Sequence, residues 1–403
     1  MKQFKRSIQR KLKHASIRLN QQFEDAYIPA PSEKVVFKEL RDGQVRFNIF
    51  IPSLDKKVIF GGIFTALAFI KEVKELGYAI KITTFDYSLS RKEKEEAISL
   101  LSGQLNFPLQ PEDIQVIGEF KNSTPHKQDI FIATMYYTAL FIQSVLRNNP
   151  FTQKQFIYFI QDFTPGFTPW SDEYAKALVS FKADNFYPVF NSSLLRDFFI
   201  KHDYINKNQS FAFKPQLQLH RLKPRSSVNE TPKLIFYARP KRPRNLYEVG
   251  LQGLIDWLHE FEPDVEIFTA GQPHEEIKFG KWSIRSLGKM DAEKYWATLN
   301  QYDIGLSLML SPHPSYPPLE MAASGLITVT NNFANKDLSV LSDNFVTCEP
   351  SAEHIKLALQ EAYQKCKDME SRINGATFDV DVNAEDLSTV VKSVVALLNP
   401  KTA

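Results

Sequence analysis

Four groups of residues have the types and spacing to handle an anion or a sugar. Arg239, Lys241, Arg242 and Arg244 fall within six residues, interrupted by Pro240 and Pro243. The prolines stiffen the loop that carries these cations, and guanidinium groups meet phosphate oxygens two at a time. That grouping suits a diphosphate, though a solvated basic loop has the same composition. Gln161 and Asp162 set an amide beside a carboxylate, with Pro165, Phe167, Pro169 and Trp170 just downstream. The carboxylate suits binding a hydroxyl or taking its proton, and the rings suit sugar stacking. A surface acid in a loop is the plainer reading. Gly61-Gly62 lets the backbone approach a ligand closely or simply turns tightly. In Ser311–Gly325, residues Ser315, Tyr316, Pro317, Pro318 and Leu319 open a helix whose N-terminus favours a phosphate. Glu320 follows, placed to accept bonds from sugar hydroxyls; a Glu near a helix start is also ordinary.

Other chemistries lack their residues. There is no GxGxxG, no GxxxxGK[ST] and no GxSxG, which counts against nicotinamide enzymes, P-loop NTPases and α/β-hydrolases. The eight His show neither HxxxH nor HExxH spacing, and two Cys make no zinc site alone. Asp379-Val-Asp381 has the look of a metal-binding pair but lies near the chain end, away from any strand–loop site. We therefore expect no metal and no resident cofactor.

The elements that must position these groups alternate in type. Strand patterns occupy Val45–Ile51, Tyr78–Phe85, Asp129–Thr134 and Phe156–Ile160, with helical patterns at Ile63–Leu76, Arg91–Leu101 and Ser171–Phe181. Pro215, Pro224 and Pro232 mark Lys214–Lys233 as a linker. Alternation then resumes with strands at Leu234–Ala238, Val265–Ala270, Ile304–Met309, Leu326–Thr330 and Phe345–Cys348. Helical patterns lie at Leu246–Phe261, Asp291–Leu299, Pro318–Ser324, Ala352–Lys367 and Ala384–Leu398. The fold class is α/β: two Rossmann-like, doubly wound domains with a cleft between them at the strands' carboxyl ends. The expected boundaries are 24–222 and 223–383, with a basic segment at 1–23 and a last helix in 384–403.

Charge is near balance, at +3 from 49 Lys+Arg and 46 Asp+Glu, so a generally basic nucleic-acid binder is disfavoured. The average conceals Met1–Phe23, which has seven cations and no acid. Taking its +7 from the chain's +3 leaves the rest at −4. Phe4, Ile8, Leu12, Ala15 and Leu19 recur at helical spacing there, as in a helix lying on an anionic membrane face. A solvated tail reads equally well.

These motifs together resemble the retaining GT-B glycosyltransferases that use nucleotide-diphosphate sugars. Gly61-Gly62 resembles that family's glycine loop, and Gln161-Asp162 its His-Asp at a strand end. Arg239 and Arg244 match its cation pair, and Glu320 matches the second Glu of its E-x7-E motif, a ribose ligand. Gly271, Lys289 and Met290 fall where its base pocket is lined. Pro312 stands where the first Glu would be. Phe159–Ala175, Tyr237–Leu251 and Ser311–Gly325 are similar, more narrowly, to WsaF-like rhamnosyltransferases of bacterial surface-glycan assembly. That resemblance implies a dTDP-β-L-rhamnose donor and no metal. It implies a glycan acceptor, often lipid-linked, held by the N-terminal domain. A homodimer and a cytoplasmic site at the inner membrane face are compatible with it. Its catalytic set would be Asp162, Arg239 and Arg244. Its donor set would be Gly61, Gly62, Lys241, Gly271, Lys289, Met290 and Ser315 through Glu320. The alternatives are another donor such as a UDP-hexose, a nucleotide-sugar epimerase, and a non-catalytic glycan-binding protein on the membrane.

Overall fold

The computed structural model describes residues 34–54, 61–86, 88–217 and 222–398. The basic segment 1–23 lies outside the described residues. The first sheet contains β1 (Arg46–Ile51), β2 (Ala79–Thr84), β3 (Ile114–Val116), β4 (Asp129–Ala133), β5 (Phe156–Ile160), β6 (Phe186–Phe190) and β7 (Phe211–Ala212). Their spatial order is β3-β2-β1-β4-β5-β6-β7, and every pairing among them is parallel. All five residues of β4 and of β5 are buried. Helices cover both faces, so a run such as Phe-Ile-Tyr-Phe-Ile has no solvent side and needs no polar alternation.

Many of the 32 Phe serve this core. Phe50 packs edge-on against Phe85, Phe120 and Phe131, with centroids 5.1–6.2 Å apart. Such contacts add to the burial of apolar area.

The second sheet contains β8 (Lys233–Ala238), β9 (Glu266–Gly271), β10 (Ile277–Phe279), β11 (Trp282–Ser286), β12 (Ile304–Leu306), β13 (Ile327–Asn331) and β14 (Phe345–Cys348). Its order is β10-β11-β9-β8-β12-β13-β14. Among these strands only β10 and β11 pair antiparallel, through a two-residue turn in which Gly280 has φ +56°. Sequence patterning does not reveal this hairpin, or the short strands β6 and β7. It also expects a strand through Met309, yet the β12 ladder ends at Leu306. Side chains take over there. Met309 N donates to Asn331 Oδ1 (2.7 Å), and Met309 O accepts from Lys336 Nζ (2.7 Å). The chain leaves the sheet and enters the cleft.

The helix Leu387–Leu398 buries Leu387, Val390, Val391, Val394, Val395 and Leu398 in the core of the first sheet, beside the helix Gly61–Glu75. The C-terminal end of the chain thus returns to the first domain. Both sheets reverse their winding, between β1 and β4 and between β8 and β12. Crevices for ligands open at such points. The loops after β8 and β12 carry Arg239–Arg244 and Ser307–Ser315.

Candidate active site

Asp162 lies just beyond β5, is 8% exposed, and holds three donors. Oδ1 accepts from the Phe163 backbone N–H at 2.8 Å and from the Ser311 hydroxyl, and Oδ2 accepts from Arg244 Nη1. Ser311 and Arg244 belong to the second domain, so this one carboxylate ties the two domains together. The Arg244 guanidinium also lies 3.8 Å from the Phe167 ring centroid, in cation–π contact. A third link joins Thr65 Oγ1 to the Tyr316 hydroxyl at 3.4 Å. Sequence reasoning selects Asp162 and Arg244 separately; the structure makes them partners. With both oxygens engaged, Asp162 is placed to position neighbours.

Arg239 follows β8 directly and is half-buried. Burial pushes its pKa down; the nearby Tyr237 opposes this, while Arg242 and Arg244 add to it. Two guanidinium groups close enough to repel are stabilised by an anion between them. Lys241 is exposed, and its backbone N–H donates to Gln272 Oε1 at 2.8 Å. The structure therefore gathers Arg239 and Arg244 at the cleft and leaves Lys241 at the rim.

The helix Tyr316–Ala323 begins on Ser315, whose φ of +68° marks a sharp entry. A helix leaves four N–H groups without helical partners, on its cap and first three residues. Here those residues are Ser315, Tyr316, Pro317 and Pro318. The prolines have no N–H, and Ser315 N donates to His313 Nδ1 at 2.9 Å. The Tyr316 N–H alone remains to offer. The phosphate site expected at this helix start is thus reduced to one N–H, and positive charge at the site rests mainly on Arg239 and Arg244. Leu319 is fully buried in an apolar cluster with Ala322, Leu338 and Phe345, so its side chain contributes packing and not contact with a ligand.

Glu320 is 8% exposed and accepts a bond from Trp296 Nε1 at 2.8 Å. Burial raises its pKa to about 7, against the opposing pull of the Trp296 bond. The neighbouring Tyr295 hydroxyl is buried without a hydrogen-bond partner among the described residues. Gly271 closes β9 at φ +126°, where a Cβ would stand 2.4 Å from Ala238 O. Its N–H bonds Gly288 O at 3.0 Å, joining the two glycines at one edge of the cleft. Met290 packs beside Tyr295, while Lys289 is exposed. Gly61 opens the first helix, and a Cβ on Gly62 would come 3.1 Å from Gln161 Oε1. That oxygen is buried and lacks a partner among the described residues.

Several site residues escape sequence reasoning. His313 and Lys336 are 6% and 1% exposed. Burial lowers His313 to about 4; Asp162 opposes this, and Arg244 and Lys336 reinforce it. Burial lowers Lys336 to about 7, with Asp162 opposing. No spacing distinguishes such a lysine from a surface one. Trp296 likewise sits in an unremarkable amphipathic helix. Asp379 and Asp381, the pair that sequence reasoning sets aside as a metal site, have protein partners: Lys214 Nζ at 2.7 Å and the Ser193 backbone N–H at 2.6 Å. Among the described residues, no three His, Cys, Asp or Glu side chains converge as metal ligands would. Among them also, no helix is long and apolar enough to cross a membrane.

Two doubly wound domains facing each other across a cationic cleft define the GT-B fold, the architecture of a large class of glycosyltransferases. Solved structures agree. The chain aligns with TarM at TM-score 0.64 and 10% identity, covering 89% of this chain and 99% of that one. It aligns with sucrose-phosphate synthase of Thermosynechococcus elongatus at TM-score 0.56 and 9% identity, covering 87% and 95%.

The chain belongs to the WsaF family: the WsaF N-terminal domain matches residues 46–193 and its C-terminal domain residues 232–360. A curated relative, the O-antigen biosynthesis protein RfbC of Myxococcus xanthus, is 31% identical over 208 residues. The match takes in 51% of this chain but spans only 16% of that relative's length.

Proposed function

We propose that this protein is a glycosyltransferase that moves L-rhamnose from dTDP-β-L-rhamnose to a growing cell-surface polysaccharide or S-layer glycan. In this reading it retains the anomeric configuration and needs no metal. One observation carries most of the weight: Arg239 and Arg244 converge at the switch point of the second sheet, across the cleft from Asp162. Two fixed guanidinium groups there would stabilise charge growing on a departing diphosphate, as preorganised donors do. WsaF membership and the O-antigen relative support a surface glycan as the product.

In the proposed reaction, an acceptor hydroxyl attacks the anomeric carbon on the leaving-group face as the bond to the diphosphate oxygen breaks. The hydroxyl proton passes to that departing oxygen. Glu320 holds the ribose and the Gly271–Met290 edge holds the base. Arg244 exchanges Asp162 for the diphosphate, and the released Asp162 orients the sugar or its acceptor. The Phe167–Trp170 loop, with Trp170 91% exposed and stacked on Tyr174, offers a face to an acceptor pyranose. The reading places the chain in the cytoplasm at the inner membrane face, held by the basic residues 1–23, and accommodates a homodimer.

Pro312, standing where the family has an acidic residue, keeps a second donor reading open, such as a UDP-hexose. Thermal-shift titration with dTDP, UDP and GDP, then mass spectrometry of products from dTDP-β-L-rhamnose and a lipid-linked glycan, tests both. Stabilisation by dTDP and a product heavier by one deoxyhexose are expected. Stabilisation by UDP alone would overturn the rhamnose reading, and sugar isomerised without acceptor would point to an epimerase.

A further inference from the structure

We propose that His313 is a donor-recognition residue that gives a hydrogen bond from Nε2–H to a hydroxyl of the transferred sugar. The inference rests on the glycosyltransferase reading above and deepens it. Its basis is hydrogen-bond accounting around one buried ring. The Ser315 backbone N–H donates to Nδ1 at 2.9 Å, so Nδ1 carries a lone pair and no proton. A neutral imidazole must then carry its proton on Nε2. Burial keeps the ring neutral at physiological pH. His313 is only 6% exposed, and its Nε2 has no hydrogen-bond partner among the described residues. A buried donor left unpaired is destabilising, so such groups ordinarily have a use.

Position along the loop points to the part of the ligand concerned. Ser311 bonds Asp162 on the first domain, and Ser315 immediately precedes the helix that carries Glu320. His313 lies midway between them. In the proposed complex, the diphosphate occupies the Arg239 and Arg244 side and the acceptor approaches from the Asp162 side. The group between those two is the sugar being transferred. An Nε2–H donor cannot take a proton from the acceptor, which removes His313 as a general base. It selects instead for a sugar oxygen that accepts.

Three substitutions separate the ring's two nitrogens. His313→Asn keeps an acceptor for Ser315 N–H but has no donor at the Nε2 position. His313→Gln reaches the Nε2 position with an amide N–H but gives up the Nδ1 contact. His313→Leu loses both. Affinity for dTDP and for dTDP-β-L-rhamnose, and for UDP and UDP-glucose in parallel, is measured by calorimetry, with circular dichroism and melting curves to verify folding. The expected result is that His313→Asn binds the free nucleotide as wild type does. Its affinity for the matching nucleotide-sugar falls about five- to tenfold, the worth of one net hydrogen bond. His313→Gln regains part of that loss relative to His313→Leu. Equal weakening of nucleotide and nucleotide-sugar by His313→Asn would overturn the sugar contact, as would no weakening of either. A wild-type chain that binds no nucleotide would instead defeat the glycosyltransferase reading on which the inference rests.

Discussion

Replacing Glu320 by Gln should separate ribose binding from folding, because the structure gives the carboxyl two opposed demands. Burial lifts it from 4.5 to about 7, while ribose hydroxyls need it ionised to accept their bonds. At pH 6 about one Glu320 in eleven is ionised, and at pH 8 about ten in eleven. Apparent affinity scales with the competent fraction. Binding of UDP-glucose or dTDP-rhamnose should therefore tighten about tenfold from pH 6 to pH 8. These ligands have no proton that titrates in that range. Stability moves the other way. The fold favours the protonated carboxyl, so stability is full below the unfolded value of 4.5 and declines as pH rises to about 7. The loss is about 3 kcal/mol, since each pH unit separating the unfolded and folded values is worth about 1.36 kcal/mol. Gln can still accept from Trp296 Nε1 and carries no charge. Glu320→Gln should bind nucleotide-sugar weakly, with no pH slope, and melt several degrees above wild type at pH 8. Calorimetric titration and scanning calorimetry at pH 6, 7 and 8 measure both. A wild-type affinity flat across that range, or a Gln variant that binds as tightly as wild type, would refute the reasoning.

Arg239→Ala and Arg244→Ala should each lower turnover at least about a hundredfold, the usual effect of removing one preorganised charge donor. Circular dichroism should show the fold retained, and near-normal turnover in either variant would remove the diphosphate assignment. Trp170→Ala should change stability by less than about 0.5 kcal/mol, since the ring is exposed. It should raise KM for the acceptor and leave KM for the donor unchanged, as measured by initial rates. Arg372→Ala should destabilise by about 3–5 kcal/mol in chemical denaturation, because it removes one partner of a buried ion pair. Arg372 is 1% exposed and bonds Asp303, Gly325 O and Cys366 O, remote from the proposed chemistry.

The doubly wound domains are legible in the sequence because β4 and β5, buried on both faces, read as short apolar runs separated by helical periodicity. The two strands β6 and β7 are not, since Phe186–Phe190 contains Pro188 and β7 has only two residues. Residue types at strand ends single out Asp162, Arg239 and Arg244, and the proline-led helix start singles out Glu320. Spacing does not show that Asp162 and Arg244 pair across the cleft, because tertiary structure alone brings them together. Leu319 reads as part of a binding turn, yet its side chain is core. Lys336 shows the deeper limit. A lysine buried against Met309 O looks, in sequence, like any solvated one.

In the proposed function, a nucleoside diphosphate binds with its phosphates on Arg239 and Arg244. A crystal structure of the full chain with dTDP tests it most directly. Phosphate oxygens are expected within hydrogen-bond distance of both guanidinium groups, with Arg244 drawn away from Asp162 and ribose hydroxyls on Glu320. Phosphates bound elsewhere, with the Arg244–Asp162 pair intact, would contradict it.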